Sequence, residues 1–118
     1  MDRRWEVIPL PEVEDWIFGL DGPDRNLVAA AIDRLEDKGP TLGRPYVDRV
    51  KGSKYHNLKE LRPGSSGRSE IRILFAFDLR RRAVLLTAGD KAGLWEEWYK
   101  VNIPKAEARF EKWLNGEE

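Results

Sequence analysis

The 118-residue sequence contains no cysteine and a single histidine. Without cysteine, disulfide bonds and thiolate metal sites are excluded, and one imidazole is too few for a histidine-rich metal centre. No apolar run approaches the roughly 20 residues needed to cross a bilayer. The N-terminus also lacks an apolar segment followed by a secretory cleavage site. We therefore expect a protein of the prokaryotic cytoplasm that binds no membrane and uses no metal or other cofactor.

Net charge is lacking as well, since 21 basic residues balance 21 acidic residues. Taken alone, this balance argues against general affinity for nucleic acid. The charges are nevertheless unevenly distributed along the chain. Residues 44–91 carry 12 basic and 5 acidic side chains, a net +7, and the remainder carries 9 basic and 16 acidic, a net −7. This asymmetry predicts a basic face on an otherwise acidic domain.

Chain length and the order of the elements predict one α+β domain over residues 1–118, with its core at about residues 4–114. β-branched and aromatic residues alternate with a period of two in several segments, which predicts strands. These segments lie at about Arg4–Ile8, Tyr55–Leu61, Ser69–Asp78 and Ala83–Thr87. We expect them to form a twisted, mainly antiparallel sheet.

Apolar residues at three- and four-residue spacing predict an N-terminal pair of helices, at Pro11–Leu20 and Pro23–Lys38, on one face of that sheet. Two further helices are expected in the tail, one ending near Val101 and one beginning at Pro104. Residues 41–54 are interpreted as a basic connecting segment with a brief extended piece. The Pro63–Gly67 loop is interpreted as a flexible hairpin connection.

Arg72 lies in the middle of a predicted central strand, between Ile71 and Ile73. A guanidinium there is costly unless it is paired or faces a wet cleft. Two interpretations remain open. Arg72 forms an ion pair with Glu60 or Glu70 on a solvated face, or its planar fork binds a phosphate or a transition state.

The remaining reactive side chains exclude several classes of enzyme. Ser65 and Ser66 lack a histidine–acid pair, and neither a glycine-rich nucleotide motif nor a metal-spaced carboxylate cluster is present. The available Lys, Arg, His and Tyr side chains suit RNA cleavage by the 2′-hydroxyl. A base takes its proton, cations stabilise the phosphorane, and an acid protonates the leaving oxygen. DNA lacks that hydroxyl, so such an activity would be specific for RNA.

The sequence resembles the HigB/RelE-like toxins of type II toxin–antitoxin systems, and in particular their phage-derived HigB-like branch. The resemblance rests on LKELRP at 58–63, EIRILFAFD at 70–78, VLLTAGDKAG at 84–93 and WEEWYKVNIPKAEARF at 95–110. It extends over residues 4–114. It implies a RelE-like fold and a ribosome-dependent mRNA endonuclease that works without a metal ion and inhibits translation.

The resemblance also implies roles for individual residues. Arg72 matches the family's mid-strand arginine, which is a ligand of the transition state. The implied catalytic residues are Arg72, Lys59, Lys91 and His56, and the implied RNA-binding residues are Arg62, Lys54, Lys51, Arg68 and Tyr99. His56 and Tyr99 each keep a structural alternative, as a strand residue and as a core or interface aromatic. The four cations at 59, 62, 72 and 91 are expected to point into one cleft.

The implied partners are mRNA on the ribosome and a cognate antitoxin, a helix-turn-helix protein encoded next door. Operator DNA would be bound only through that antitoxin. Two other functions stay open, a ParE-like toxin that binds DNA gyrase without cutting RNA and a non-catalytic binding module. Lys59, Arg72 and His56 together favour cleavage, because a protein that only binds another protein needs no convergent cations and proton donors.

Overall fold

The structure, a computed structural model, describes residues 4–116. Within these residues five strands form one sheet: β1 (Glu6–Pro9), β2 (Val47–Arg49), β3 (Lys59–Leu61), β4 (Ile71–Phe77) and β5 (Arg82–Asp90). The strands are ordered β1-β5-β4-β3-β2. β1 runs parallel to β5 at one edge, and the other three pairings are antiparallel. The predicted mainly antiparallel sheet is therefore confirmed, with β4 at its centre.

Helices cover both faces of the sheet. α1 (Pro11–Phe18) and α2 (Gly22–Lys38) pack on one face, as predicted, and α3 (Glu96–Leu114) packs on the other. Because side chains alternate along a strand, each face has its own apolar core. In β4, Ile73 and Phe75 face the helix pair, whereas Leu74 and Ala76 face α3. In the described part of the chain, none of the helices has the length and apolar character of a membrane span.

A β-bulge in β5 determines which side chains face α3 near the end of the sheet. Leu74 pairs with Thr87 but Phe75 pairs with Leu85, so one residue of β5 is extra. Beyond the bulge, Gly89 pairs with Arg72 and presents no side chain toward α3. The indole of Trp98 lies against Gly89 instead. Gly89 therefore sets how closely the start of α3 approaches the sheet.

The prediction of two tail helices was wrong, since α3 continues through Pro104 as one helix over the described tail. Pro104 cannot donate a hydrogen bond to the carbonyl of Lys100. Its position is exposed, so water can bind that carbonyl. The buried face of the helix, formed by Trp98, Ala106 and Phe110, stays uninterrupted. Burial of that face outweighs the lost hydrogen bond.

The strand predicted at Tyr55–Leu61 forms only in its last three residues, as β3. The backbone N–H of Lys54 donates to Glu107 of α3 at 2.7 Å, which diverts the preceding chain away from the sheet. His56 consequently lies in an exposed turn and not on a strand. A short strand, β2, forms where the sequence indicated a brief extended piece.

Replacing Gly89 with alanine should lower the free energy of unfolding by about 1–3 kcal/mol, because the new methyl group would overlap the Trp98 indole in a packed core. Urea denaturation followed by tryptophan fluorescence measures this quantity. Gly43→Ala is the matched control, since nothing in the described structure beyond its chain neighbours lies within 4 Å of the added methyl group. Equal stability of the two variants would contradict the close approach of α3 at Gly89.

Candidate active site

Three cationic side chains meet at one end of the sheet. Arg62 follows β3, Arg72 is the second residue of β4, and Lys91 follows β5. Neighbouring antiparallel strands bring the end of one beside the start of the next, so segments distant in sequence become adjacent here. Tyr99 reaches the same place from α3 and donates a hydrogen bond to Glu60. We call Glu60, Arg62, Arg72, Lys91 and Tyr99 the strand-end cluster.

Glu60 is the acidic centre of the strand-end cluster, and its side chain is only 4% exposed. One carboxylate oxygen accepts a hydrogen bond from Arg62 Nε at 2.7 Å, and the other accepts from the Tyr99 hydroxyl at 2.6 Å. Sequence reasoning considered Glu60 only as an ion-pair partner of Arg72. Period-two alternation from the buried Leu58 would have placed Glu60 on the inward face, and that signal could have identified it.

Arg72 is paired only loosely. Its side chain is 13% exposed, and Nη1 donates to the carbonyl of Ile71 at 2.9 Å. Its nitrogens lie 3.9 Å from the Glu60 carboxylate and 3.6 Å from the Glu70 carboxylate, distances too long for hydrogen bonds. Within the described residues, Nε is buried without a hydrogen-bond partner. The carboxylates of the ion-pair interpretation are therefore present, but they leave part of the guanidinium's hydrogen-bonding capacity unused.

Lys91 is a nearly buried ammonium, with the residue 8% exposed. In the described part of the chain no carboxylate lies within ion-pair distance of Nζ, which instead lies 4.7 Å from the Trp95 ring centroid and 5.5 Å from that of Tyr99. Burial, followed by the nearby charge of Arg72, lowers the pKa of Lys91 from its ordinary value. Such a group is well suited to transfer protons in an active site.

The other two polar side chains of the cluster are held in fixed protonation states. Burial and the hydrogen bond to Glu60 raise the pKa of Tyr99 to about 12, so its hydroxyl remains a donor at neutral pH. Burial opposes the charge of Arg62, but Glu60 and Asp48 outweigh burial and raise the Arg62 pKa. Asp48 lies 3.3 Å from Arg62 and 3.3 Å from Arg44. A chain of alternating charges thus runs from Glu60 to the exposed edge of the sheet.

Two open spaces adjoin the cluster. A cleft of about 640 Å³ lies between the β2–β3 loop and α3, with Glu60, Arg62 and Tyr99 in its wall. A second pocket of about 450 Å³ is lined by Arg62 and Arg72. Both volumes are typical of small-ligand sites. Within residues 4–116, no group of three or more His, Cys, Asp or Glu side chains is placed to hold a metal ion.

Lys59 lies on the opposite face of the sheet from the strand-end cluster. It pairs with Phe75, and its ammonium lies 5.5 Å from the ring of Phe77, which packs with the helix pair. The expectation that four cations share one cleft was therefore wrong for Lys59. Adjacent residues on a strand point to opposite faces, so Lys59 and Glu60 cannot both face α3.

Two predicted site residues of the β2–β3 loop, Lys54 and His56, lie toward the far end of β4. Asn57 Nδ2 donates to the carbonyl of Phe77 at 3.3 Å, which places this loop there. His56 is exposed and lines a different pocket from Arg72. Lys54 forms an ion pair with α3 at 3.5 Å, and Lys51 lines the 640 Å³ cleft. The fold therefore separates Lys54 and His56 from the strand-end cluster, whereas Lys51 lines a cleft that adjoins it.

The basic residues of segment 44–91 are divided between the two ends of the sheet. Arg68 is exposed in the loop that precedes β4, at the end where the strand-end cluster lies. The turn of three arginines at 80–82 lies at the opposite end, where Arg82 Nε donates to Asp78 at 2.7 Å. The predicted single basic face is therefore not formed.

Glu60→Gln should lower the free energy of unfolding by roughly 2–3 kcal/mol, because it removes a buried charge that compensates the cations beside it. Chemical denaturation at neutral pH measures the change. Glu12→Gln is the control, since Glu12 lies 3.8 Å from Arg109 but is 55% exposed. That exposed pair should contribute less than about 1 kcal/mol. A loss at Glu60 no greater than that at Glu12 would contradict the central role of Glu60.

Tyr99 should keep its proton until about pH 12 in the folded protein, whereas an unfolded tyrosine loses it near pH 10. The stability that Tyr99 contributes is therefore complete below pH 10 and is lost as the pH rises toward 12. Subtracting the 295 nm absorbance titration of Tyr99→Phe from that of the wild type should leave a transition near pH 12. Circular dichroism checks that the protein is still folded. A difference transition near pH 10 would mean that Glu60 does not restrain the hydroxyl.

Sequence comparison identifies related proteins. Residues 15–111 match the family model described as phage derived protein Gp49-like (DUF891). The chain is 56% identical over 111 residues to the candidate toxin HigB3 of Mycobacterium tuberculosis, covering 94% of this chain and 95% of that protein. It is also 54% identical over 102 residues to the candidate toxin HigB2 of the same organism. That match covers 86% of this chain but 51% of HigB2, so the chain spans about half the length of that relative.

Structural comparison identifies the fold. The E. coli toxin RelE, in the free state of a double arginine-to-alanine variant, superposes with a TM-score of 0.58. The match covers 78% of this chain and 88% of RelE at 9% identity, so it concerns the fold alone. The family match and the identity to HigB3 are specific to the sequence. Together they show that the chain belongs to the phage-derived Gp49-like family of HigB-type toxins from toxin–antitoxin systems, built on the RelE fold.

Proposed function

We propose that this toxin cleaves mRNA on the ribosome, by attack of the RNA 2′-hydroxyl on the adjacent phosphate, and so stops translation. The observation that carries the proposal is the pair of cations Lys91 and Arg72, a buried ammonium with no carboxylate partner in the described part of the chain beside a loosely paired guanidinium. Burying unsatisfied positive charge costs stability. The same arrangement stabilises the additional negative charge of a phosphorane, because both side chains are positioned before the reaction begins and Lys91 becomes an ammonium when it takes the 2′-hydroxyl proton.

In the proposed reaction, the 2′-oxygen forms a bond to phosphorus and the bond from phosphorus to the 5′-oxygen breaks. The products are a 2′,3′-cyclic phosphate and a 5′-hydroxyl. Arg72 binds the non-bridging oxygens. Lys91 in its neutral form takes the 2′-hydroxyl proton and returns it to the 5′-oxygen, a role for which its lowered pKa suits it. These side chains supply the charge that a metal ion supplies in other nucleases, so we propose a reaction without a metal.

The remaining polar groups of the cluster bind and orient the strand in this proposal. The ring of Tyr99 offers a surface for a base in the wall of the 640 Å³ cleft while its hydroxyl donates to Glu60, and Arg62 holds a phosphate at the boundary of that cleft. Lys51 contributes charge at the cleft wall. Lys59 and His56 are left out of the chemistry, because they lie on the other face of the sheet and in an exposed turn.

Membership of this toxin family implies that the protein has a cognate antitoxin as its partner. We propose that this antitoxin is a helix-turn-helix protein encoded next door, and that operator DNA is bound only through it. Leu94 and Trp95, 51% and 58% exposed, lie beside Lys91 and offer apolar contacts for a segment that covers the cluster. A reaction on the ribosome takes place in the cytoplasm.

Arg72→Ala should abolish growth arrest and lower the rate of mRNA cleavage by about 10²–10³, because it removes a preorganised donor to the transition state. Arg72→Lys should restore little activity, since an ammonium cannot make a two-pronged contact with phosphate oxygens. Mapping of mRNA 5′ ends on translating ribosomes measures cleavage. The wild-type rate in the presence of EDTA tests the independence from metal ions.

Lys59→Ala is the matched control. It also removes a cation from a strand of the sheet, but the Lys59 side chain lies on the face that packs against the helix pair. We expect it to cleave mRNA at the wild-type rate. Melting temperatures separate a loss of fold from a loss of chemistry. A destabilised Arg72→Ala protein that still cleaves would restrict Arg72 to the ion-pair interpretation. Intact mRNA together with DNA damage, caused by the wild type, would favour a gyrase poison.

A further inference from the structure

Arg34 lies in the second half of α2 and has no counterion among residues 4–116. In the described part of the chain its guanidinium has neither a carboxylate partner nor a hydrogen bond, and its Nε is buried. Its guanidinium lies instead over the Tyr46 ring, whose centroid is 4.3 Å from Cζ. By contrast, Arg62 and Arg82 each have a carboxylate at 2.7 Å. A partly buried guanidinium without a counterion is expected to bind an anion supplied from outside the chain.

Arg34 lines the 450 Å³ pocket together with Arg62 and Arg72. Glu70 is the acidic residue of the described lining, so three guanidinium groups share this pocket with one carboxylate. Arg62 also belongs to the wall of the 640 Å³ cleft, so the two spaces adjoin at Arg62. The three guanidinium groups of the pocket therefore extend the positive charge of the strand-end cluster toward α2.

The opposite wall of the pocket is the loop at residues 63–69, and it is held by Asp24 of α2. One carboxylate oxygen of Asp24 accepts hydrogen bonds from Ser66 Oγ at 2.6 Å and from Ser69 Oγ at 3.2 Å. The loop predicted to be flexible is thus tied to the first turn of α2. Ser65 and Ser69 line the pocket, and the Ser65 hydroxyl, which donates to the carbonyl of Gly67 at 2.9 Å, can rotate to donate to a phosphate oxygen instead.

We infer that this pocket is a nucleotide subsite, in which Arg34 binds the RNA phosphate next to the one that Arg72 holds. The inference rests on the proposed nuclease function, because that function supplies the phosphate at Arg72. The Tyr46 ring holds the intrinsically planar guanidinium of Arg34 in place for a two-pronged contact with phosphate oxygens. Tyr46 is 40% exposed, so it also offers a surface on which a base stacks.

The test compares Arg34→Gln with Arg25→Gln, which removes the same charge from an exposed position on the same helix. Single-turnover cleavage of mRNA on ribosomes is measured over a range of toxin concentrations. Arg34→Gln should raise the half-saturating toxin concentration on the order of tenfold and lower the maximal cleavage rate far less. The reason is that the lost contact stabilises the bound substrate and the transition state equally. Arg25→Gln should stay close to the wild type, and Arg34→Lys should recover only part of the loss.

The possible results distinguish failure of the subsite from failure of the nuclease function. If wild-type toxin cleaves and Arg34→Gln has the same half-saturating concentration as Arg25→Gln, the subsite is overturned and the nuclease stands. If the wild type does not cleave, the nuclease is overturned and the subsite with it. If Arg34→Gln weakens antitoxin binding and leaves cleavage unchanged, the pocket binds an acidic protein segment and no RNA.

A second variant covers the case in which Arg34→Gln is not folded at the assay temperature. Tyr46→Ala removes the ring from beneath the guanidinium at a surface position, so it disturbs the core little. It should also raise the half-saturating concentration, through loss of both the support for Arg34 and the stacking surface. A wild-type value for a folded Tyr46→Ala protein would overturn the subsite.

Discussion

The buried carboxylate of Glu60 is the interaction on which the strand-end cluster depends. A charge that is 4% exposed is tolerable only when its oxygens are satisfied, and Arg62 and Tyr99 do so at 2.7 and 2.6 Å. One of these hydrogen bonds joins Glu60 to Arg62, just beyond the end of β3. The other joins β3 to α3. They also fix the orientation of a guanidinium and a phenol, side chains that would otherwise lose considerable conformational entropy on binding a ligand. The same carboxylate lies 3.9 Å from Arg72, and so contributes to its position without saturating it.

Positive charge remains in excess around Glu60. This excess lowers the stability of the fold but favours the binding of an anionic ligand. Lys91 is almost buried among aromatic rings and its pKa is lowered, which means that folding disfavours its charged form. Nε of Arg72 has no hydrogen-bond partner. A sequence selected for stability alone would not keep such groups together. A site that receives an anionic backbone uses them, because the ligand supplies the missing negative charge.

Both helical layers contribute to the surface around this site. Tyr99 comes from α3, held close to the sheet where Trp98 lies on Gly89. Arg34 comes from α2 on the other side, and the loop opposite it is tied down by Asp24. The 640 Å³ cleft lies on the α3 side and the 450 Å³ pocket on the α2 side, and Arg62 lines both. In the function proposed above, an RNA strand contacts residues of both helical layers at this end of the sheet.

Sequence periodicity determined the elements of this protein, because helical and strand spacings are local properties. The helix pair, the central β4 strand and the position of Arg72 within it could all be read from the residues alone. Only the tertiary structure decided which side chains share a site. One step along β3 turns Lys59 away and Glu60 inward, and the bulge in β5 places Gly89 opposite Arg72. Arg34 gave no signal, since a polar position on an amphipathic helix has the same spacing whether it faces water or a pocket. Convergence depends on register and on packing between segments distant in the chain, and neither is encoded in the spacing of residues within one segment.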